Sequence, residues 1–306
     1  MQFVPIEDKY FKNIYEIQRK TNYNGCEYSQ FYIKNWDFFN YDTMEICLKE
    51  DIAFLRFKPN LKYYDEEEMN SKYIYLPPMC EIDKVAYAYS MIKEQTLIDE
   101  DVFVVISTPQ EYLDRLDQTI YRYEENRNYD EYLYSTKDLI DLTGKKYHAK
   151  KNFVNRFNQK YQYVFRDYQE KDYFSILKLY EEWKEEKKIF IQENNESSEL
   201  SFLIKSLKMY NSIDNARAGV LEIDGKIVGF ELGEISPSNV GIVHIEKADY
   251  RYQGIYQAIN NLFVRKYFNN CRIINRQEDI GIEGLRRSKL SYNPIDFCKK
   301  YYIYLK

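Results

Sequence analysis

The spacing of hydrophobic positions changes between two periods along this chain, and each period predicts one kind of element. Apolar residues three or four positions apart predict helices over residues 9–19, 29–39, 83–95, 109–119, 172–187, 199–209, 255–268 and 282–290. Alternation with period two, or a short apolar run, predicts strands over residues 44–48, 52–57, 73–76, 101–106, 161–165, 219–223, 227–232, 240–246, 272–274 and 301–305. The polar, tyrosine-rich residues 121–134 predict a hairpin or a strand pair. Together these elements predict an α/β fold with mixed sheets, of the α+β type.

The order of these elements is the same in both halves of the chain. Strand positions 46, 73 and 102 correspond to positions 220, 240 and 272, which gives offsets of 174, 167 and 170 residues. Nearly constant offsets favour two copies of one domain, the first over residues 1–135 and the second, with a linker helix, over residues 136–306. The alternative is that strands and helices alternate often enough to match by chance.

Composition narrows the class of protein. Hydrophobic residues make up 44% and aromatic residues 17% of the 306 residues, enough for packed cores, so global disorder is excluded. The longest apolar run, about residues 102–106, is far shorter than the ~20 residues that a membrane-spanning helix needs. The N-terminal residues do not have the pattern of a signal peptide. Five dispersed cysteines and two histidines predict a cytoplasmic protein without disulfides or a metal site. Peripheral contact with a membrane stays open.

Charge and glycine are distributed unevenly. The net charge of −5 divides into −11 for residues 1–140 and +6 for residues 141–306. Of ten glycines, only Gly25 precedes Gly144. A basic half joined to an acidic half indicates that a polyanionic or phosphorylated ligand binds on one side of the protein.

Residues 251–256 follow the strand at 240–246 and read Arg-Tyr-Gln-Gly-Ile-Tyr. They resemble the phosphate loop of the GNAT acyltransferases, Arg/Gln-x-x-Gly-x-Gly/Ala, in which backbone N–H groups at a helix start bind a pyrophosphate. Arg251, Gln253 and Gly254 are therefore the candidate cofactor-binding residues. Tyr256 replaces the last small residue, and a side chain of that size argues against coenzyme A. The first copy has Leu-Pro-Pro-Met-Cys at positions 76–80, which predicts no phosphate cradle.

The segment 144–166 is the most basic part of the chain. It contains no acidic residue and seven basic ones: Lys145, Lys146, Lys150, Lys151, Arg156, Lys160 and Arg166. Ser135, three residues before Asp138, predicts a capped helix before this segment. In a helix from residue 145, one apolar stripe contains Tyr147, Phe153, Val154, Phe157 and Tyr161. Lys150 falls within this stripe, where an amine needs an anion or a wet cleft. The functional interpretation is a helix that presents cations to a phosphate; the alternative is a solvated basic helix whose Lys150 stem lies along apolar surface.

Two further clusters carry candidate catalytic groups. Alternation along the strand 240–246 places His244 and Glu246 on one face, and Glu246 there is a candidate general base. The alternatives are a packed His244 and a Glu246 neutralised at the surface by the following lysine. Residues 275–279, Asn-Arg-Gln-Glu-Asp, follow a buried strand, where polar side chains often line a cleft. A capped loop is the alternative for this second cluster.

Three blocks of the sequence together resemble one known family. The blocks are residues 134–157, 244–260 and 275–290, and they also contain Asn260, Arg286 and Lys289. They resemble the soluble bacterial proteins named for the C-terminal domain of phosphatidylglycerol lysyltransferase. The resemblance runs over nearly the whole chain and implies two tandem GNAT-like acyltransferase domains. It also implies kinship with aminoacyl-tRNA-dependent transferases, including the Fem-type peptidoglycan aminoacyl ligases.

The sequence leaves three functions open. The first is an acyl or aminoacyl transferase whose donor is aminoacyl-tRNA, with Glu246 as base and with Asn275, Arg276 and Glu278 positioning the ester. In this hypothesis the substrate-binding residues are Lys145, Lys150, Lys151, Asn152, Arg156, Asn260, Asp279, Arg286 and Lys289. The second is a degenerate GNAT pair that binds the tRNA acceptor end, another RNA or a phosphorylated small molecule. The third, disfavoured by Tyr256, is an acetyl-CoA-dependent N-acyltransferase.

Overall fold

The computed structural model describes residues 1–35, 43–59, 70–187 and 193–306. For residues 186–187 and 193–198 it describes the backbone only. These residues form two compact units. The first comprises Met1–Glu131, Glu278–Ile282 and Phe297–Lys306, and the second comprises Tyr132–Gln277 and Glu283–Asp296. The domain boundary predicted between residues 135 and 136 stays a prediction.

The helices agree in place with the predicted ones. In chain order they are α1 Phe11–Gln18, α2 Gln30–Asn35, α3 Val85–Ile98, α4 Gln110–Leu113, α5 Thr136–Asp141, α6 His148–Lys160, α7 Tyr173–Lys187, α8 Glu193–Met209, α9 Ile255–Tyr267 and α10 Glu283–Leu290. The largest difference is α4, which is much shorter than the predicted 109–119. The predicted helix 29–39 is helical through Asn35, and its last four residues lie outside the described part of the chain.

The strands also fall near their predicted positions. In chain order they are β1 Val4–Pro5, β2 Glu45–Lys49, β3 Ile52–Phe57, β4 Ile74–Tyr75, β5 Val104–Pro109, β6 Tyr121–Glu125, β7 Glu131–Tyr134, β8 Tyr163–Asp167, β9 Ala216–Ile223, β10 Lys226–Ile235, β11 Val240–Ala248, β12 Ile273–Asn275, β13 Asp296–Cys298 and β14 Lys300–Leu305. The predicted α/β class with mixed sheets is therefore confirmed.

The strands form two sheets of the same topology. Within the described residues the first sheet has the order β1-β2-β3-β4-β5-β14-β6 and the second has the order β13-β7-β12-β11-β10-β9-β8. Parallel pairing occurs between β4 and β5 in the first sheet and between β11 and β12 in the second. The last strand of the chain, β14, lies between β5 and β6, and β7 occupies the matching place beside β12. Each sheet thus receives a strand from a distant part of the chain, and the repeated order agrees with the predicted duplication.

The hairpin predicted for residues 121–134 is wrong. β6 pairs with β14 in the first sheet, whereas β7 pairs with β12 in the second. The burial of the two strands explains the difference. All four residues of β7 are buried, as in a strand covered on both faces, whereas most of β6 is exposed, as at a sheet edge.

Helices cover both faces of the first sheet. Successive residues of β3 alternate between two hydrophobic clusters, so that Leu55 packs in one cluster with Ile14 of α1 and Phe54 packs in the other with Ile92 of α3. In the second unit, one face of the sheet contributes Leu221 to a cluster with Phe157 of α6 and Ile259 of α9. Buried strands between helical layers account for the continuous apolar runs in the sequence.

The linker between β7 and α6 follows its sequence signals. The Ser135 hydroxyl accepts a hydrogen bond from the Asp138 N–H at 3.2 Å, which confirms the predicted cap of α5. A 3-10 turn over Lys145–Tyr147 then leads into α6. Tyr147, Val154 and Phe157 of the predicted apolar stripe are buried, which orients the basic face of α6.

Candidate functional site

A β-bulge in the second sheet separates two residues that were predicted to share a face. β10 and β11 are antiparallel, and their register shifts so that His244 is the extra residue. The His244 ring packs 5.8 Å from Phe202 of α8, whereas Glu246 lies beside Asn260 of α9. The prediction that His244 and Glu246 share a face is therefore wrong, because the bulge adds one residue to the alternation.

Glu246 lies where β11 has separated from its parallel neighbour. The pairing of β11 with β12 covers residues 240–242 only, and β11 then continues to Ala248. Past that point, Glu246 Oε2 accepts hydrogen bonds from Arg276 Nη2 at 2.8 Å and from buried Asn260 Nδ2 at 3.4 Å. The side chains of Glu246 and Arg276 are 12% and 11% exposed, so this ion pair is largely shielded from water. The structure thus brings together three of the residues predicted for the site.

Aromatic rings and a buried lysine hold Arg276 in place. The guanidinium carbon lies 4.8 Å from the ring centre of Tyr292 and 5.7 Å from that of Tyr134. Lys289 donates from Nζ to the backbone carbonyl of Arg276 and, at 3.1 Å, to that of Gln277. Lys289 was predicted to bind substrate, and its ammonium is directed at the segment that carries Arg276.

Asn275 shapes the same segment from within the sheet. It is the buried last residue of β12, and its Oδ1 accepts a hydrogen bond from the Gln277 N–H at 2.7 Å. Gln277 has a positive φ of 56° and lies 3.0 Å, Nε2 to Nδ1, from His244. The amide oxygen of Asn275 is thus bonded within this turn, and its role in positioning an ester stays a prediction.

Glu231, the acid directly opposite Glu246 in the β10–β11 ladder, was not predicted from the sequence. The side chain is 0% exposed, and neither carboxylate oxygen has a hydrogen-bond partner within the described structure. Burial, and next the charge of Glu246, raise the pKa of Glu231 well above its ordinary value, while Arg276 opposes the rise. An acid within the apolar strand 227–232 was the available signal for this residue.

Lys150 of α6 is half-buried beside the Arg276 guanidinium. Its Nζ donates to Ser291 Oγ at 2.7 Å and lies 4.1 Å from the ring centre of Tyr292. Burial, followed by the positive charge of Arg276, lowers the pKa of Lys150 to about 8, while Glu246 opposes the change. The sequence predicted that an amine in the apolar stripe needs an anion or a wet cleft. In the structure a hydroxyl and an aromatic ring lie beside the Lys150 amine, and its pKa is lowered.

The other predicted cations of this segment are exposed. Lys151 and Arg156 lie on α6 and Lys145 lies in the 3-10 turn before it, while Asn152 is half-buried with Nδ2 3.4 Å from His148 Nδ1. Their predicted role in binding a phosphate stays a prediction.

The backbone of the predicted phosphate loop is closely packed against α6. Gly254 has a φ of +88° at the start of α9, and a Cβ there would lie 2.7 Å from the carbonyl oxygen of Phe153. The absence of a side chain therefore allows α6 to lie close against α9. Tyr256 is half-buried, and its hydroxyl accepts a hydrogen bond from the Ala248 N–H at 3.3 Å.

The charged member of that loop is already paired. Arg251 forms two hydrogen bonds with Asp249, Nε to Oδ1 at 2.7 Å and Nη2 to Oδ2 at 2.6 Å, and Nη2 also lies 3.3 Å from Glu182. Gln253 is exposed. A phosphate at this loop would compete with two carboxylates for Arg251, so cofactor binding there stays a prediction.

Three predicted residues lie apart from this cluster or at its edge. Glu278 and Asp279 belong to the first compact unit. Asp279 is fully buried, accepts a hydrogen bond from the Gly281 N–H at 2.9 Å and lies 3.7 Å from Arg127 Nη1. Arg286 is half-buried on α10. Their predicted roles are not decided by these positions.

The first unit contains a buried charged cluster of its own. Lys300 Nζ bonds to Glu27 and lies 3.4 Å from Glu131 Oε1, which also lies 2.9 Å from Cys26 Sγ. The Tyr23 hydroxyl donates to Glu27 at 2.5 Å. Burial raises the pKa of Glu131 to about 7, with Lys300 opposing and Glu27 adding to the rise. The thiol and the two carboxylates are grouped as metal ligands can be, and the Lys300 ammonium supplies positive charge to them.

The fold described above is that of the tandem GNAT proteins. A tandem GNAT protein from the clavulanic acid biosynthesis pathway matches with a TM-score of 0.51 over 99% of this chain and 98% of its own, at 8% identity. FemX matches with a TM-score of 0.63 over 100% of this chain and 98% of its own, also at 8% identity. At such identities these likenesses show the fold alone, and they confirm the predicted pair of GNAT-like domains.

Within this class, the chain belongs to the family described as "Phosphatidylglycerol lysyltransferase, C-terminal", which matches residues 61–304. L-PGS from Bacillus licheniformis has a TM-score of 0.65 over 98% of this chain and 92% of its own, at 15% identity. A conserved protein of unknown function from Bacteroides thetaiotaomicron has a TM-score of 0.87 at 27% identity, over the full length of both chains. The predicted resemblance is confirmed, and the family takes its name from an aminoacyl transferase.

A curated relative matches part of the chain. An uncharacterized protein of Mycoplasmoides gallisepticum is 28% identical over 174 residues, which are 56% of this chain. The match spans 55% of that relative, about half its length. In the part of the chain that is described, no helix is long and apolar enough to cross a membrane.

Proposed function

We propose that this protein transfers an aminoacyl group from tRNA to an acceptor, at a site in the second unit around Glu246 and Arg276. The observation that carries the proposal is the shielded Glu246–Arg276 pair at the point where β11 separates from β12. A group entering between separated parallel strands meets a carboxylate, a guanidinium and the amide of Asn260 together. Membership of a family named for an aminoacyl transferase supports the same reaction class.

In this proposal Glu246 accepts the proton that the attacking amine or hydroxyl of the acceptor loses. Arg276 keeps Glu246 in one position and offers N–H groups to the oxygen of the reacting carbonyl, where negative charge develops. The lowered pKa of Lys150, to about 8, lets its amine exchange protons near neutral pH beside the same pair. Each group is held by at least one bond to a neighbour, which favours a fixed geometry.

The basic face of α6 fits the phosphates of an RNA acceptor end. Lys151 and Arg156 are exposed on the helix whose half-buried Lys150 lies beside Arg276, and Lys145 is exposed in the turn before that helix. Contacts with phosphates supply affinity that does not depend on the RNA sequence, and they weaken as the salt concentration rises. RNA bound along α6 would bring its acylated end toward the carboxylates.

A second function is a binding module for RNA or a phosphorylated ligand without catalysis. It is favoured over an acetyl-CoA-dependent enzyme by the phosphate loop, where Tyr256 bonds to β11 and Arg251 is paired with acids. The same two observations argue against acetyl-CoA as the donor. A protein of this kind binds the ligand and transfers nothing.

Thermal stability with candidate ligands separates these functions. We expect aminoacyl-tRNA to raise the melting temperature more than uncharged tRNA, less so at high salt, and acetyl-CoA to have no effect. The variant Lys150→Ala with Arg156→Ala should lose the tRNA effect. The matched control, Lys137→Ala with Lys208→Ala, removes exposed lysines on α5 and α8 and should keep it.

Transfer itself distinguishes an enzyme from a binding module. With an acceptor amine in excess, Glu246→Gln should lower the rate of deacylation of aminoacyl-tRNA by ~10²–10⁴-fold. Full activity in Glu246→Gln would refute its role as base. A stability shift with acetyl-CoA, and none with tRNA, would refute the aminoacyl proposal as a whole.

A further inference from the structure

A cleft of about 490 Å³ lies between α7 and one corner of the second sheet. Ser175, Lys178 and Glu182 line it from α7, where a spacing of three or four residues places them on one helix face. Arg166 of β8 and Glu222 of β9 line it from the sheet, together with the turn between β9 and β10. All of these residues belong to the second unit.

The cleft is on the opposite face of this sheet from Glu246. Leu221 of β9 packs in one cluster with Ile259 of α9, the helix whose Asn260 contacts Glu246. Glu222 is the next residue of the strand, so its side chain points to the other face, where it lines the cleft. A ligand bound in the cleft is therefore separated by the sheet from the proposed site of transfer.

The three acids that line the cleft already have cations beside them. Asp172 forms two hydrogen bonds with the Arg166 guanidinium, at 2.6 and 2.8 Å, and Glu222 bonds to the same guanidinium. Glu182 lies 3.3 Å from Lys226 Nζ at the start of β10. The negative charge of the acids is thus compensated within the cleft.

Two further lysines add positive charge to the cleft. Lys171, in the 3-10 turn that leads into α7, and Lys178 are exposed, and neither forms an ion pair with any residue that the structure describes. Phe174 lies between them along the helix, three residues after one and four before the other, and is 80% exposed. The Tyr173 ring contacts the Phe174 ring edge to face, with the centroids 5.2 Å apart. An exposed aromatic ring between two unpaired cations suits an anionic ligand that carries a ring of its own.

We propose that this cleft binds a nucleotide, with its phosphates at Lys171 and Lys178 and its base stacked on Phe174. Phosphate oxygens accept hydrogen bonds from ammonium groups and from a hydroxyl such as that of Ser175. Every base has a flat aromatic face, which stacks on an exposed ring whatever the identity of the base. A free nucleotide and a nucleotide within an RNA strand share this chemistry.

The first unit has a cleft at the matching place in its own fold. This cleft of about 510 Å³ lies between α1 and the turn from β2 to β3, as the other lies between α7 and the turn from β9 to β10. Its two lysines are each near an acid, Lys20 3.7 Å from Asp51 and Lys49 3.7 Å from Glu50. The first cleft therefore provides a matched control, with lysines that are exposed but paired.

Isothermal titration of the full chain with ADP, with pyrophosphate and with a single-stranded RNA tetranucleotide tests the proposal. We expect ADP or the tetranucleotide to bind, less tightly as the salt rises from about 50 to about 200 mM. Pyrophosphate should bind about fivefold more weakly or less, because it has no base to stack. Tighter binding of ADP would identify a free nucleotide as the ligand, and tighter binding of the tetranucleotide would identify an RNA strand.

Variants locate the binding. Lys171→Ala with Lys178→Ala should weaken it by about tenfold or more, and Phe174→Leu by about fivefold, because phosphate contacts and stacking are lost. The control, Lys20→Ala with Lys49→Ala, should bind as the natural protein does. These side chains are exposed, and circular dichroism checks that each variant is folded.

The outcome is independent of the proposed transfer reaction. Lys150→Ala with Arg156→Ala, which is expected to lose the effect of tRNA, should keep its affinity for ADP if the cleft is the site. A loss of ADP binding in that variant, with none in Lys171→Ala with Lys178→Ala, would place the ligand at α6 and overturn the proposal. Equal losses in the two lysine pairs, equal binding of pyrophosphate and ADP, or no binding of either nucleotide would overturn it as well.

Discussion

Each unit buries a pair of carboxylates beside a cation, and the two clusters differ in how they are completed. In the first unit Lys300 bonds to Glu27 and lies 3.4 Å from Glu131. In the second, Arg276 bonds to Glu246, and Glu231 has no hydrogen bond within the part of the chain that is described. The two sheets have the same topology, so the fold alone does not impose either arrangement.

This difference indicates separate roles for the two copies. A closed cluster, whose cation joins two acids on different segments, stabilises the strands that carry them. Lys300 is the first residue of β14 and Glu131 the first residue of β7, the strands that come from distant parts of the chain. An open cluster has bonding capacity left for a ligand. We therefore expect the first cluster to serve stability and the second to serve the recognition of a ligand.

The largest expected effect comes from removing the cation of the closed cluster. Lys300→Met leaves two buried carboxylates without their cation and should lower the free energy of unfolding by about 3–5 kcal/mol. Denaturant unfolding measures it. Lys20→Met, which removes an exposed lysine 3.7 Å from Asp51, should change stability by less than about 0.5 kcal/mol. A small loss of unfolding free energy in Lys300→Met would show that the first cluster does not stabilise the fold.

The pH dependence of stability sharpens the assignment further. The pKa of Glu131 is raised to about 7 in the folded protein, so the folded state binds this proton more tightly than the unfolded chain. Its contribution to stability is full below about pH 4.5 and is lost as the pH rises through 7, by up to about 3 kcal/mol. Urea titrations at several pH values should show this decline in the natural protein and a smaller one in Glu131→Gln. Parallel curves would contradict the raised pKa.

A smaller effect tests what the glycine of the predicted phosphate loop does. Gly254→Ala should cost about 1–3 kcal/mol, because a Cβ meets the Phe153 carbonyl and the φ of +88° is unfavourable. Gly284→Ala, with open space in α10, should stabilise by up to about 1 kcal/mol. Thermal unfolding compares the two. An unchanged melting temperature for Gly254→Ala would remove the packing explanation and favour a ligand-binding one.

The smallest effect is a shift in the titration of one amine in the open cluster. The reaction of Lys150 with an amine-selective reagent should have its midpoint near pH 8. Mass spectrometry measures the extent of labelling, with the exposed Lys151 as internal reference. Arg276→Gln removes the neighbouring cation and should raise the midpoint by about half a unit. A midpoint that stays in place would show that Arg276 does not act on Lys150.

Local elements could be predicted from the sequence because their signals are local. The strand predicted at 52–57 is β3, Ile52–Phe57, and the Ser135 cap formed as its spacing required. The pairing of strands could not be predicted in the same way. β6 and β7 are neighbours in sequence and were taken as one hairpin, yet their partners are set by burial against residues more than a hundred positions away.

The candidate site was predictable in part for a similar reason. Glu246, Arg276 and Lys150 stood out as charges next to strands or within an apolar stripe. Glu231 did not, because it lies inside a strand that reads as core and its meaning depends on Glu246 across the ladder. The bulge at His244 was hidden as well, since nothing in the strand itself breaks the alternation.

The position of β14 in the chain also imposes an order on folding during synthesis. β5 and β6 are bridged by β14, so the sheet of the first unit stays incomplete until residues 300–305 leave the ribosome. The second sheet, by contrast, receives β7 early. During translation the first sheet therefore waits for β14, with the edge of β5 exposed to chaperones or to other nascent chains.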